Sequence, residues 1–276
     1  MTSFTPESYA PPSYVEAPPR KQLPNGLFDS VEWITSAQGE HWRNGILWDA
    51  LASFAASGVG SDVKFGAGGL SVGTGLPKNF PFSPVSGSAS SFVVYAPYRV
   101  SAMGHPDDYS LQRATQLLQA REQARVEQAL WTGDLTGAGT GMEATADSLG
   151  TDFAEPADAL AALEEWIGNV YGSEGSIHVT RAMATRLANG FLIENTPTGL
   201  RTIVGTKLVV GAGYTPAAEN KMIATPALFG LRSDIYESQG DVIILDKDKN
   251  DIYGLVERAY VIGYDPVGCA LVQVAG

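Results

Sequence analysis

The residues best placed for chemistry are Asp246, Asp248, Asn250 and Glu257, which match the oxygen ligands of a calcium-binding loop, Glu257 standing eleven residues after Asp246. The sixth position of such a loop is Asp251 here, where the sharp turn needs glycine. Both flanks, DVIIL and YGLVERAYVIGY, carry strand patterning where helices are required. A polar hairpin turn between two strands accounts for the same residues. The histidines His41, His105 and His178 are far apart and none has a neighbouring His or Cys at ligand spacing. His178 alternates within a strand-like run, the pattern of a packed or surface imidazole. Glu164-Glu165 and Asp107-Asp108 are adjacent pairs, and neighbours on a helix do not face each other, so neither pair is a natural acid/base couple. The first reads as a solvated helix face and the second as a helix cap. No G-x-S-x-G elbow occurs. Lys207 lacks the spacing of a phosphate-binding loop, and Gly66 to Gly75 lack the strand-to-helix setting of a dinucleotide fingerprint. The sequence thus marks no catalytic, cofactor-binding or metal residue and implies no cofactor.

The elements that would have to position any site are more legible. Residues 107–133 predict a long helix capped by the two aspartates, with Leu111, Ala114, Leu118, Ala124 and Ala129 near helical spacing and Gly133 beyond its end. That apolar stripe is thin. Arg113, Arg121, Glu122, Arg125 and Glu127 spread charge around the remainder, so the helix is expected to lie across a sheet or a neighbouring subunit. A second helix is expected from Pro156, with Leu160, Leu163, Ile167 and Val170 on one face and Gly172 as its stop. SIHVT reads as a strand, and Thr180 as the N-cap of a third helix that Gly190 ends. Strands follow around TIVGT, KLVVGAGY, MIATPALFGL, YESQ, DVIILD, IYGLVERAYVIGYD and CALVQV, giving an α+β chain without the regular alternation of a doubly wound sheet.

The N-terminal 26 residues carry six prolines and read as an extended arm, whose Phe4, Tyr9 and Tyr14 are expected to lie along another surface, with a disordered leader as the alternative that the composition allows. Residues 27–54 suggest one or two short helices, with Trp48, Leu51 and Phe54 on one face. The Gly/Ser-rich, nearly uncharged stretch from Ala55 to about Pro97 reads as a long two-stranded flap that finds its partner elsewhere. In composition, 276 residues with 44% apolar suffice for a sizeable core, and a formal charge of -12 with no basic cluster longer than Arg20-Lys21 argues against a protein that grips nucleic acid tightly. The single cysteine, Cys269, excludes an intrachain disulfide and a multi-cysteine metal site and reads as buried packing. No apolar run is long enough to cross a bilayer, so the expectation is a protein made and used in solution.

The order of these parts resembles the major capsid proteins of tailed bacteriophages, the Hong Kong 97-like fold, over nearly the whole chain. DDYSLQRATQLLQAREQARVEQALWTG looks like their spine helix, and LAALEEWIGNVYGSEGSIHVTRAMATRLANG is similar to the axial-domain helix, strand and helix of the actinobacteriophage type. The resemblance implies an N-terminal arm with short helices over 1–54, an extended loop over 55–100, a peripheral domain with the spine helix over 101–150, an axial domain over 151–232 and peripheral return strands over 233–276. It further implies a non-enzymatic chain that forms homo-oligomers, pentamers and hexamers of an icosahedral shell, around double-stranded DNA held without sequence-specific binding. Portal, scaffolding or decoration proteins are implied partners, no membrane is, and the location is the virion capsid, assembled in the host cytoplasm. Lys64 and Lys78 lie in the loop where some members form a lysine–asparagine cross-link, but no matching asparagine or assisting glutamate is found, so the bond is not expected. An encapsulin-like nanocompartment and a soluble α+β enzyme are the alternatives.

Overall fold

The structure, a computed structural model, describes residues 18–35, 39–50, 85–101, 103–106, 108–133, 141–214, 218, 220–237, 244–246 and 249–275. In chain order the strands are β1 Glu32–Trp33, β2 Ile46–Ala50, β3 Val85–Ala89, β4 Phe92–Ser101, β5 Asp147–Phe153, β6 Ser176–Thr180, β7 Ile193–Thr196, β8 Gly199–Thr202, β9 Lys207–Gly211, β10 Lys221–Thr225, β11 Phe229–Arg232, β12 Tyr236–Glu237, β13 Ile244–Asp246, β14 Asp251–Gly263 and β15 Ala270–Val274. The α-helices are α1 Tyr109–Thr132, α2 Met142–Thr145, α3 Pro156–Trp166 and α4 Arg181–Asn189. The chain is α+β, as expected.

Two sheets organise it. A six-stranded sheet runs β1-β11-β14-β12, with β4 and β13 also paired to β14; a seven-stranded sheet runs β5-β15-β10-β6-β9-β8-β7. β14 is long enough to pair with β4 from Asp251↔Ser101 to Tyr260↔Phe92, which makes the antiparallel ribbon on which α1 lies. Val94, Ala96, Val256 and Tyr260 on the ribbon meet Ala114, Leu118 and Val126 of α1 in one buried cluster. The approach is close: a Cβ on Gly254 would stand 2.6 Å from the backbone carbonyl carbon of Ser110. α3 and α4 cover the seven-stranded sheet through Leu160, Leu163, Met183 and Leu187. A third cluster, with Trp131, Met142, Tyr214, Ile223 and Leu271, joins the end of α1 to the other face of that sheet.

Local signals hold where backbone chemistry decides. Gly133 ends α1 in the left-handed region at φ 74° and its N–H bonds to Ala129 O. Pro156 opens α3, which ends in a π turn, Ile167–Tyr171, closed by Gly172 at φ 68°. The Thr180 hydroxyl caps α4 by accepting from Met183 N at 3.2 Å. Among the residues read as a calcium loop, Asp246 stands opposite Asp251 in the antiparallel pairing of β13 with β14, and Asn250 has φ 55°. Glu257 stands six residues further along β14, about 20 Å away at strand rise, so the ligand set is not brought together.

Other expectations need correction. Asp108 does not cap α1, since it has αR dihedrals and its carboxylate takes Gln112 Nε2 at 2.6 Å instead. Asp107 lies outside the described residues, as do Leu51, Phe54, Asp248, Lys64, Lys78, residues 55–84 and the arm aromatics. Trp48 is in strand β2, paired antiparallel with β3, and not on a helix. Val170 is exposed because the π turn rotates it away from the face of Leu163 and Ile167. Of TIVGT only Thr202 belongs to a strand, as the end of β8; Ile203 and Val204 form the turn after it and are exposed. Asp147–Phe153 and Ala270–Val274 belong to the seven-stranded sheet and Phe229–Arg232 to the six-stranded one, because hydrogen-bonded neighbours decide membership, not sequence order. Likewise β4, within the expected loop, is an integral strand of the six-stranded sheet.

Candidate functional site

Where the arm, α1 and the seven-stranded sheet converge, α1 turns two carboxylates inward. Glu127 is fully buried. Its Oε1 accepts the Leu27 N–H at 3.1 Å and its Oε2 accepts the N–H groups of Ala212 and Gly213, each at 2.7 Å. One side chain thus satisfies donors from the arm and from the segment after β9, the arrangement that lets a charge stay inside. Burial pushes its carboxyl above the usual value, with those N–H groups pulling the other way. Glu122, one turn earlier, accepts Arg258 Nη1 at 3.1 and 3.0 Å, the Tyr260 hydroxyl at 2.7 Å and Gln22 Nε2 at 3.0 Å. Both glutamates, which the sequence offers only as two of the charges spread around the helix, are therefore buried and bonded. A buried carboxylate saturated with donors is a tie rod, and its pattern along the helix does not differ from a surface charge.

Backbone bonds continue the seam. Val210 N–H donates to Asn25 O at 2.7 Å, and Lys207 Nζ donates to Asp29 O at 2.9 Å and Ser30 O at 3.4 Å, partial burial lowering its pKa. The arm from 22 to 30 is thus wedged between α1 and β9 of its own chain. Glu164, read as half of a solvated pair, accepts the hydroxyls of Thr202 and Thr206, both at 2.6 Å. That staple holds the turn in which Ile203 and Val204 face outward. Glu165 is exposed, as expected.

His178, read as a packed or surface imidazole, is the one of the three histidines that the fold buries completely. Thr225 spends its hydroxyl proton on Pro226 O at 2.9 Å, so it accepts from His178 Nε2–H at 3.0 Å, and Nδ1 then accepts the Tyr214 hydroxyl at 2.7 Å. Burial drops the imidazole pKa to about 3. Its folded value lies below the unfolded ~6.5, so the stability it confers is complete above pH ~6.5 and is lost as pH falls toward 3. We expect about 2 kcal/mol of destabilisation between pH 6.5 and 5 that is absent in His178→Gln; equal pH profiles in urea unfolding would refute this. His105 stacks on Tyr109 at 4.4 Å, and His41 lies in a short 3-10 helix, Gly39–Asn44, so the three histidines do not meet. Cys269 is buried packing, its Sγ donating to Met142 O at 3.5 Å, and burial raises its pKa.

The surface carries apolar groups in two places. Phe191, 87% exposed, adopts φ 56°, and Ile203 N bonds to the carbonyl of the adjacent Leu192, so Phe191, Ile203 and Val204 share one end of the seven-stranded unit. On the six-stranded sheet, Val93 and Tyr95 of β4 and Leu255 of β14 point away from α1. Among the described residues no group of acidic, His or Cys side chains is arranged to hold a metal ion, and no helix is long and apolar enough to cross a membrane.

No family model matches the sequence, and no curated protein is similar to it. Solved structures are similar in fold from end to end. A chain from Mycobacterium phage Cain, 9% identical, aligns over 96% of this chain and 95% of its own at a TM-score of 0.58. One from Microbacterium phage Oxtober96, 13% identical, aligns over 95% and 94% at 0.59. The capsid of a native GTA particle, 10% identical, aligns over 97% and 95% at 0.59. At these identities what is shared is the fold, that of the two phage chains and of the GTA capsid chain.

Proposed function

We propose that this chain is a major capsid protein that self-assembles into pentamers and hexamers of an icosahedral shell enclosing double-stranded DNA. The observation that carries the reading is the end-to-end likeness to a particle capsid, with neither chain contributing a large extra part. In this reading α1 is the spine helix, the six-stranded sheet with it the peripheral domain, the seven-stranded unit the axial domain, and β2–β3 the base of the extended loop. The role is structural: the buried carboxylates and His178 are saturated by structural donors and acceptors, which leaves them no proton to trade with a substrate. Phe191, Ile203 and Val204 at one end, and Val93, Tyr95 and Leu255 on the open sheet face, are apolar groups that identical copies would cover. The location that follows is the virion capsid, assembled in the host cytoplasm. Negative-stain microscopy of the expressed chain should show rings, sheets or closed particles. A population of monomers and dimers at every concentration would overturn the reading.

A further inference from the structure

Turning Glu122 and Glu127 inward has an electrostatic consequence on the opposite side of α1. The charged residues of this 24-residue helix are Arg113, Arg121, Glu122, Arg125 and Glu127. With both carboxylates buried and bonded, every charge that α1 presents outward is a cation, in a chain of net charge -12. Arg121 and Arg125 are exposed one turn apart, and Arg125 Nη1 bonds the half-buried Gln128 Oε1 at 3.0 Å. The arm adds exposed Arg20 and Lys21, held to the helix where the next residue, Gln22, donates Nε2 to Gln119 O at 3.0 Å. Arg20 also shares a groove of about 230 Å³ with Arg113, which bonds Gln116 and lies 6.0 Å from the rings of Tyr98 and Tyr109. A second groove, of about 650 Å³, runs along Arg121 and Arg125, and among the described residues its only carboxylate is the buried Glu122.

We infer that this cationic face of α1, with Arg20 and Lys21 of the arm, is the surface through which the shell wall meets the phosphate backbone of DNA. The inference rests on the capsid reading above and names the face of the subunit that looks inward. From Arg113 to Arg125 the stripe runs about 18 Å at helical rise, and duplex DNA carries a charge every ~1.7 Å of axis, so several phosphates come within reach of it. Arginines and glutamine amides on a flat helix side position a backbone and read no bases, so the contact is sequence-independent. A second protein copy fits this face less well. Protein interfaces centre on apolar and aromatic anchors with charge depleted, whereas on this side of α1 Leu117 is the exposed large apolar side chain; protein–DNA interfaces are the polar, positive ones.

The test is the salt dependence of binding of purified subunits to a short fluorescent duplex of mixed sequence, between about 50 and 200 mM salt. The variant Arg20→Gln/Lys21→Gln/Arg121→Gln/Arg125→Gln should lower the slope of log affinity against log salt by about 3 and weaken binding at the low-salt end at least tenfold. Arg121→Lys/Arg125→Lys, which keeps the charge, should retain the slope. An unchanged slope in the fourfold variant overturns the inference; so does lost particle formation with unchanged DNA binding, which would make the face a contact between copies. Microscopy of the same samples separates the two readings: wild-type particles with an unchanged slope sink this inference alone, whereas a wild type that never assembles sinks the shell.

Discussion

Glu127→Ala should destabilise the subunit by about 3–5 kcal/mol in urea or thermal unfolding, among the largest losses available to a single side chain. Three backbone N–H groups, of Leu27, Ala212 and Gly213, lose their acceptor together. An orphaned buried donor costs about 1–3 kcal/mol, and the relief from no longer burying a carboxylate offsets part of the sum. Glu127→Gln separates shape from charge. Its one carbonyl oxygen can serve Ala212 and Gly213, while its amide N–H₂ then faces the Leu27 N–H, donor against donor. We expect an intermediate loss of about 1–3 kcal/mol and faster hydrogen exchange at Leu27 than at Ala212. A Glu127→Ala subunit within about 1 kcal/mol of wild type would show that water replaces the carboxylate and that it is no tie rod.

Gly213→Ala should be at least as damaging, from sterics alone. A Cβ on Gly213 would lie 1.7 Å from the Ala124 carbonyl oxygen and 2.6 Å from its carbon. Those atoms are backbone in the middle of α1, which is clamped by the ribbon beneath it, so neither partner can yield by changing a rotamer. The segment after β9 must retreat from the helix, which also stretches the Glu127 bonds to Ala212 and Gly213. A loss above about 4 kcal/mol, or failure to recover soluble subunit, is expected. Gly168→Ala is the matched control. It lies in the helical turn after α3 with nothing within 4 Å of a new Cβ, and should gain up to about 1 kcal/mol. Similar stabilities for the two variants would refute the close-approach argument.

What the sequence determined by itself is the set of features resting on neighbours a few residues away. Gly133 and Gly172 stop helices because only glycine enters the left-handed region without cost, Pro156 opens one, the Thr180 hydroxyl reaches an N–H three residues on, and the polar turn at Asn250 lies between alternating strands. Those signals, in order, were enough for an α+β chain of the right architecture. The tertiary structure alone decided which polar residues matter. Glu127 finds Leu27 a hundred residues back and Ala212 eighty-five residues on, Glu122 finds Arg258 and Tyr260 at comparable range, and His178 finds Tyr214 in the segment after β9 and Thr225 in β10. Along the chain each of the two glutamates reads as one more charge on a helix, since hydrophobic period records what a side chain avoids and not which distant donors await it. Burial of those two carboxylates, invisible locally, is what leaves the outer side of α1 positive.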